Sequence, residues 1–169
     1  HKSDYKYSRR NSLNFYNNPV IWSKENQITG DFIYLLTVKN KVDRMFINEN
    51  AFIISKADSV NENYNQIKGK NMVAYLKDQE IHKIDVKENS ETIYYAIDEN
   101  GKYVGVNKMR GNDMLIFMKD NEIQTITFIK DPEGIIFPLN KISPKEVILK
   151  GFNWRVIERP SDMFDIFID

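Results

Sequence analysis

The chain contains no cysteine. That excludes disulfides, thiolate metal sites and cysteine nucleophiles, and it is compatible with oxidising and reducing surroundings alike. Long hydrophobic runs are also missing. The longest are a few residues, such as Ile135–Phe137, far short of the ~20 that a membrane-crossing helix needs. Neither charge is in excess: 24 basic and 24 acidic residues cancel over 169 positions. A balanced chain exerts no global pull on nucleic acid or anionic lipid, so nucleic acid is not an expected partner. Histidine is scarce, at His1 and His82 only. The start at His1 rather than Met reads as a processed or truncated chain whose signal peptide would already be gone. What is present is a 41% hydrophobic fraction, enough for one ordinary folded domain.

Catalytic signatures are sparse. The sequence has no nucleophile elbow, no Gly-rich phosphate loop and no metal-ligand spacing. His82 reads as an exposed polar residue at a strand start. Glu62, Asp78, Glu80, Asp120 and Glu122 fall mainly in turns, where solvated charge is the ordinary role. Two well-placed acids suffice for a glycosidase, but nothing singles out such a pair. The expectation is a protein without enzymatic activity, cofactor or metal.

Internal repetition is the strongest signal. Gln27-Ile28-Thr29-Gly30 aligns with Gln66-Ile67-Lys68-Gly69 and Lys108-Met109-Arg110-Gly111. Twelve residues beyond each glycine come Val42, Ile81 and Ile123. Met45, Ile84 and Ile126 follow, then Ile47, Val86 and Phe128, at the same spacing and without gaps. The glycines are 39 and 42 residues apart, so length varies only in the connections. KDQEI (77–81) and KDNEI (119–123) occupy equivalent places and read as register-setting turns.

Each unit reads as strands. Met72, Ala74 and Leu76 alternate with more polar neighbours, as do Met114, Ile116 and Met118, and Ile84 with Val86. Asp98-Glu99-Asn100-Gly101 and Asp131-Pro132-Glu133-Gly134 carry turn chemistry. Ile67 and Met72 are five apart, so one face can hold both only if the glycine between them makes a bulge or bend. Further β-rich stretches close the units at Ala51–Ser55, Ile93–Ile97 and Ile135–Phe137. Pro19–Ser23 resembles the close of an earlier unit whose start is missing. Helical periodicity is absent from residues 20–130. A unit of two or three strands cannot bury its apolar face alone, so stacking is expected to build one continuous core. The fold expected is all-β: two facing antiparallel sheets extended by repetition over residues 1–140. Residues 141–169 are expected to form a short helical or irregular cap over the final repeat. There Ser143-Pro144-Lys145-Glu146 is a helix start and Gly151 a stop. Met45, Met72, Met114 and Met118 fall inward, suiting an irregular core or a greasy site.

At this point the residues resemble a family. Asn17–Ser23, Asn26–Asp31, Asn65–Gly69 and the late Leu149–Arg155 with Arg159-Pro160 look like the OstA-like family, to which LptA-type proteins belong. More narrowly, they resemble its Bacteroidetes version. The resemblance spans about residues 15–160. It implies an open β-jellyroll in the periplasm of a Gram-negative cell, close to the inner face of the outer membrane. It implies lipopolysaccharide, through its lipid A part, as ligand. Partners would be other transport components, docked at terminal strand edges, with head-to-tail self-association. The acyl-chain groove would be Ile33, Leu35, Met45, Ile47, Ile53, Met72, Ala74, Leu76, Ile84, Val86, Met114, Ile116, Ile126 and Phe128. The alternatives are a β-repeat protein-interaction module and a carbohydrate-binding surface using Trp22, Tyr34, Tyr75 or Trp154.

Overall fold

Pairs of residues with left-handed backbone mark where the chain turns. Lys39 with Asn40 and Asp78 with Gln79 have φ between 50° and 66°, as the central residues of tight type I′ hairpins require. Asn17 with Asn18, Glu49 with Asn50, and Glu88 with Asn89 form a second series, φ 52° to 65°. These mark corners rather than hairpins. The computed structural model describes residues 10–58, 60–120 and 122–160.

Twelve strands follow from this punctuation. They are β1 (Arg10–Tyr16), β2 (Val20–Ser23), β3 (Asn26–Thr29), β4 (Phe32–Val38), β5 (Lys41–Lys56) and β6 (Tyr64–Lys77). Then come β7 (Glu80–Lys87), β8 (Ser90–Ile97), β9 (Tyr103–Gly111), β10 (Met114–Lys119), β11 (Glu122–Phe128) and β12 (Glu133–Phe137). Every pairing is antiparallel. The protein is all-β, and no α-helix occurs among the described residues.

The strands form two half-sheets. One runs β1-β4-β5-β6-β7-β10-β11. The other runs β2-β3-β5-β6-β8-β9-β12. The long strands β5 and β6 belong to both, so the expected pair of separate sheets is corrected to one sheet folded at a corner. The corner is built from backbone. The amide of Asp31 donates to the carbonyls of Asn48 and Glu49 at 3.2 and 2.9 Å, Lys70 to Glu88 at 2.9 Å, and Asn112 to Lys130 at 3.1 Å. The repeated glycines stand at this corner because nothing larger fits. A Cβ on Gly30 would lie 2.7 Å from Ile47 Cγ2, and one on Gly111 2.8 Å from Phe128 Cδ1. The bend expected between Ile67 and Met72 is therefore present, and both side chains are buried in the same interior.

A second irregularity recurs in each unit. Register shifts leave one residue unpaired between Val42 and Arg44, between Ile81 and Lys83, and between Ile123 and Thr125. These bulges turn the odd spacing from Val42 to Met45 and from Ile81 to Ile84 into one inward face. His82 is the bulged residue of its unit and is exposed.

Residues 138–160 do not cap the β11–β12 end. They cross the outer face of the second half-sheet, where Val147 and Leu149 are buried and Phe152 and Trp154 half-buried. The expected helix is also corrected. Ser143 and Glu146 form a capping box, but it opens a single 3₁₀ turn, Pro144–Val147. The carbonyls a longer helix would use are taken by the sheet: Lys108 Nζ donates to Glu146 O at 3.1 Å and Gln66 Nε2 to Val147 O at 2.7 Å. The apolar tail Phe164–Ile168 lies outside the described residues.

Candidate functional site: an apolar interior with an open mouth

The register aligns inward side chains into straight rows. Across the first half-sheet one row reads Phe15, Ile33, Ile47, Met72, Val86, Met114, Phe128. The next reads Leu13, Leu35, Met45, Ala74, Ile84, Ile116, Ile126. Facing them on the second half-sheet are Ile21, Ile28, Ile53, Ile67, Thr92 and Met109. Seven strands about 4.8 Å apart make each long row about 29 Å from end to end.

The structure gathers the expected groove residues. Twelve of the fourteen occupy the two rows of the first half-sheet. Ile53 faces them, and Leu76 adjoins the bulge opposite Ile81. Their exposure is graded. Ile33, Ile47, Ala74, Ile84, Val86, Met114 and Ile116 are wholly inaccessible, whereas Leu76, Ile126 and Phe128 are half-buried. The floor of the trough is thus packed, and accessible apolar surface lies toward the free edges and the β11 end.

Strand ends and hairpin turns of the two half-sheets face each other opposite the corner. There a cavity of about 530 Å³ is bounded by Ile53, Ile67, Tyr94, Met118 and Ile123. Its rim carries Glu25, Lys56, Asp120 and Glu122. Burial pushes the Tyr94 phenol up from its ordinary value, with Glu122 adding to the shift, so the group stays neutral. Thr92 is buried on the same inner face, and its hydroxyl has no protein partner. Toward β3 the mouth is bridged by an ion pair, Lys24 Nζ with Glu80. Lys24 owes its position to a left-handed turn, φ 54°.

The outer face of the second half-sheet has its own row: Trp22, Gln27, Ile54, Gln66, Ile93, Lys108, Ile135. The C-terminal segment lies along it as a strap. Gln66 Nε2 donates to Val147 O at 2.7 Å, and its Oε1 accepts from Leu149 N at 2.9 Å. Gln27 repeats the pattern, donating to Asn153 O at 2.7 Å and accepting from Arg155 N at 2.6 Å. Each side-chain amide thereby satisfies the backbone groups flanking one strap residue, as a neighbouring parallel strand would. Trp154 packs edge-on against Trp22 at 5.0 Å. Arg159 ends the strap, pairing with Glu25 at 2.8 Å, donating to Lys24 O at 3.0 Å and covering the Trp22 ring. Its hydrogen bond holds the Glu25 carboxylate below the ordinary range.

The remaining candidates scatter. Asp78 is in a hairpin turn, Glu62 in an exposed loop, Glu80 in the ion pair, and Asp120 with Glu122 on the rim. Of the aromatics, Trp22 and Trp154 pack on each other beneath and within the strap. Tyr34 packs at a tilt against Phe46, and Tyr75 is covered by Lys83 Nζ at 3.9 Å. The Lys24–Glu80 bridge and the strap contacts were missed from sequence. The repeated Gln27 and Gln66 were visible, but a repeated glutamine does not say what it faces.

The fold and site define a repeat-built, all-β protein with an apolar interior between the halves of one folded sheet. Comparisons with protein-family models, curated proteins and solved structures find no match for the chain.

Proposed function

We propose that this protein is a periplasmic, non-enzymatic lipid-binding module of the lipopolysaccharide-transport type. In this view the folded sheet is an OstA-like open β-jellyroll that shields acyl chains on their way to the outer membrane. The observation that carries the proposal is the pair of unbroken apolar rows lying alongside a cavity whose wall includes Met118 and Ile123. Each methylene removed from water there contributes about 0.8 kcal/mol, so a short stretch of acyl chain is held while remaining free to move on. Deeper entry requires the half-sheets to part. They are joined covalently and by backbone bonds at the corner, but across the mouth by the Lys24–Glu80 side chains. The flexible Met45, Met72, Met114 and Met118 allow such repacking. Rim carboxylates disfavour a phosphate at the mouth and keep an anionic head group outside. Terminal edges β1, β2, β11 and β12 would serve the neighbouring transport components by strand addition.

The test is photo-crosslinking. A photoreactive residue at Met118 or Ile123 of the full chain should capture lipopolysaccharide, and one at the outward Lys70 should not. Equal capture from all three positions, or capture from Lys70 alone, overturns the proposal.

A further inference from the structure

We propose that the outer row Gln27–Gln66–Lys108 is a peptide-docking track whose occupant can come from a second copy, through residues 142–159 of that copy. Three observations carry this. First, the track reads backbone. Gln66 and Gln27 each bind one strap carbonyl and one strap amide, and Lys68 Nζ and Lys108 Nζ bind the carbonyls of Lys150 and Glu146 at 2.7 and 3.1 Å. The segment bound this way turns between Leu149 and Phe152, and it places apolar side chains at the buried positions, Val147 and Leu149. Second, the strap's contacts with the track are with residues of the sheet, so they can form identically whether the strap is tethered to that sheet or to another. Exchange of an identical element then costs mainly association entropy and a change in the connector. Third, the connector is suited to that change. It leaves β12 at Pro138, and Leu139 through Lys141 are exposed.

Polarity fixes the geometry of exchange. The strap runs from Lys108 on β9 toward Gln27 on β3. A short connector from β12 can start that path on a partner only if the partner's β9–β12 edge lies next to the donor's. The two copies therefore meet tail to tail, about a two-fold axis. That arrangement also covers Ile135 and Ile136, which stand 58% and 76% exposed on the last strand. It excludes end-to-end docking through β12 by the same molecule.

The absence of native cysteine makes the test clean. Full-length Lys68→Cys and Lys150→Cys chains are mixed, warmed below their unfolding midpoint and treated with a short bis-maleimide. A covalent heterodimer should form, and it should be lost when Lys39→Cys, in a hairpin turn away from the track, replaces Lys68→Cys. Deletion of Leu139–Lys141 provides a second readout, because the shortened connector should turn the chain into an obligate dimer. The proposal is overturned if the heterodimer does not exceed the Lys39→Cys control while a Lys68→Cys/Lys150→Cys chain cross-links within itself. It is equally overturned if the deletion variant stays monomeric with Trp154 exposed to solvent. Neither readout involves lipid, so failure here leaves the lipid-binding proposal standing, and the reverse holds too.

Discussion

At the scale of single residues, the corner glycines and the strap glutamines carry the sharpest expectations. Gly69 has no room for a side chain: a Cβ there would overlap Val86 Cγ1. Gly69→Ala should cost about 1–3 kcal/mol by overpacking, read as a lower urea midpoint. Gly101 is the contrasting case, with open space around it and φ +77°. Gly101→Ala should cost about 1 kcal/mol from left-handed strain alone, without disturbing the interior. Gln66 is fully buried and serves both a strap carbonyl and a strap amide. Gln66→Ala strands those two groups, and urea unfolding should show a loss of about 2–4 kcal/mol. The steric need for glycine was legible as a repeated letter in the sequence. The need for glutamine was not, because its partners lie more than 80 residues away.

At the scale of elements, hairpins and corners were legible and their connections were not. Lys-Asp-Gln-Glu marks a tight turn in both sequence and structure, with the two central residues left-handed. The spacing Val42–Met45–Ile47 looked like a broken alternation, and it becomes regular once a bulge removes one residue from the count. The helix expected between Pro144 and Gly151 shrinks to one 3₁₀ turn because the local signals at Ser143 and Pro144 take no account of the sheet beneath them. Its far end depends on Arg159 and Glu25. A carboxylate whose folded value is depressed contributes stability above its ordinary value of 4.5, lost as pH falls through the folded one. Tryptophan fluorescence from Trp22 and Trp154 should therefore report a docked strap at neutral pH and progressive loosening below about 4.5. Arg159→Ala should weaken docking at neutral pH and remove that part of the acid response.

At the scale of the whole molecule, the mouth of the trough is the decisive feature. The Lys24–Glu80 pair that spans it has side chains about a third exposed, so it holds the halves together by about 1 kcal/mol or less. On the lipid-binding proposal, so weak a bridge over an apolar interior serves as a gate rather than a brace. Replacing both residues with cysteine and joining them with a short bis-maleimide that a reductant cleaves should lock it. On the lipid-binding proposal, displacement of a fluorescent acyl probe by lipopolysaccharide should then fall sharply in the cross-linked protein and recover on cleavage. Unchanged displacement in the cross-linked form would mean that the ligand enters elsewhere, for example at the β11 end, where Ile126 and Phe128 are half-buried.

The sequence by itself determined the β class, the three-fold repetition, the corner glycines and the inward residues. All of these are local spacings, set by the two-residue pleat and by the room a Cβ needs. Only the tertiary structure decided that the two expected sheets are one, that the interior is packed at its floor and open at its mouth, and that the C-terminal segment lies outside as a strap. Those outcomes depend on pairings across tens of residues, such as Lys24 with Glu80 and Gln27 with Arg155. No periodicity along the chain encodes such pairings, because they form only after the corner has folded the two halves together.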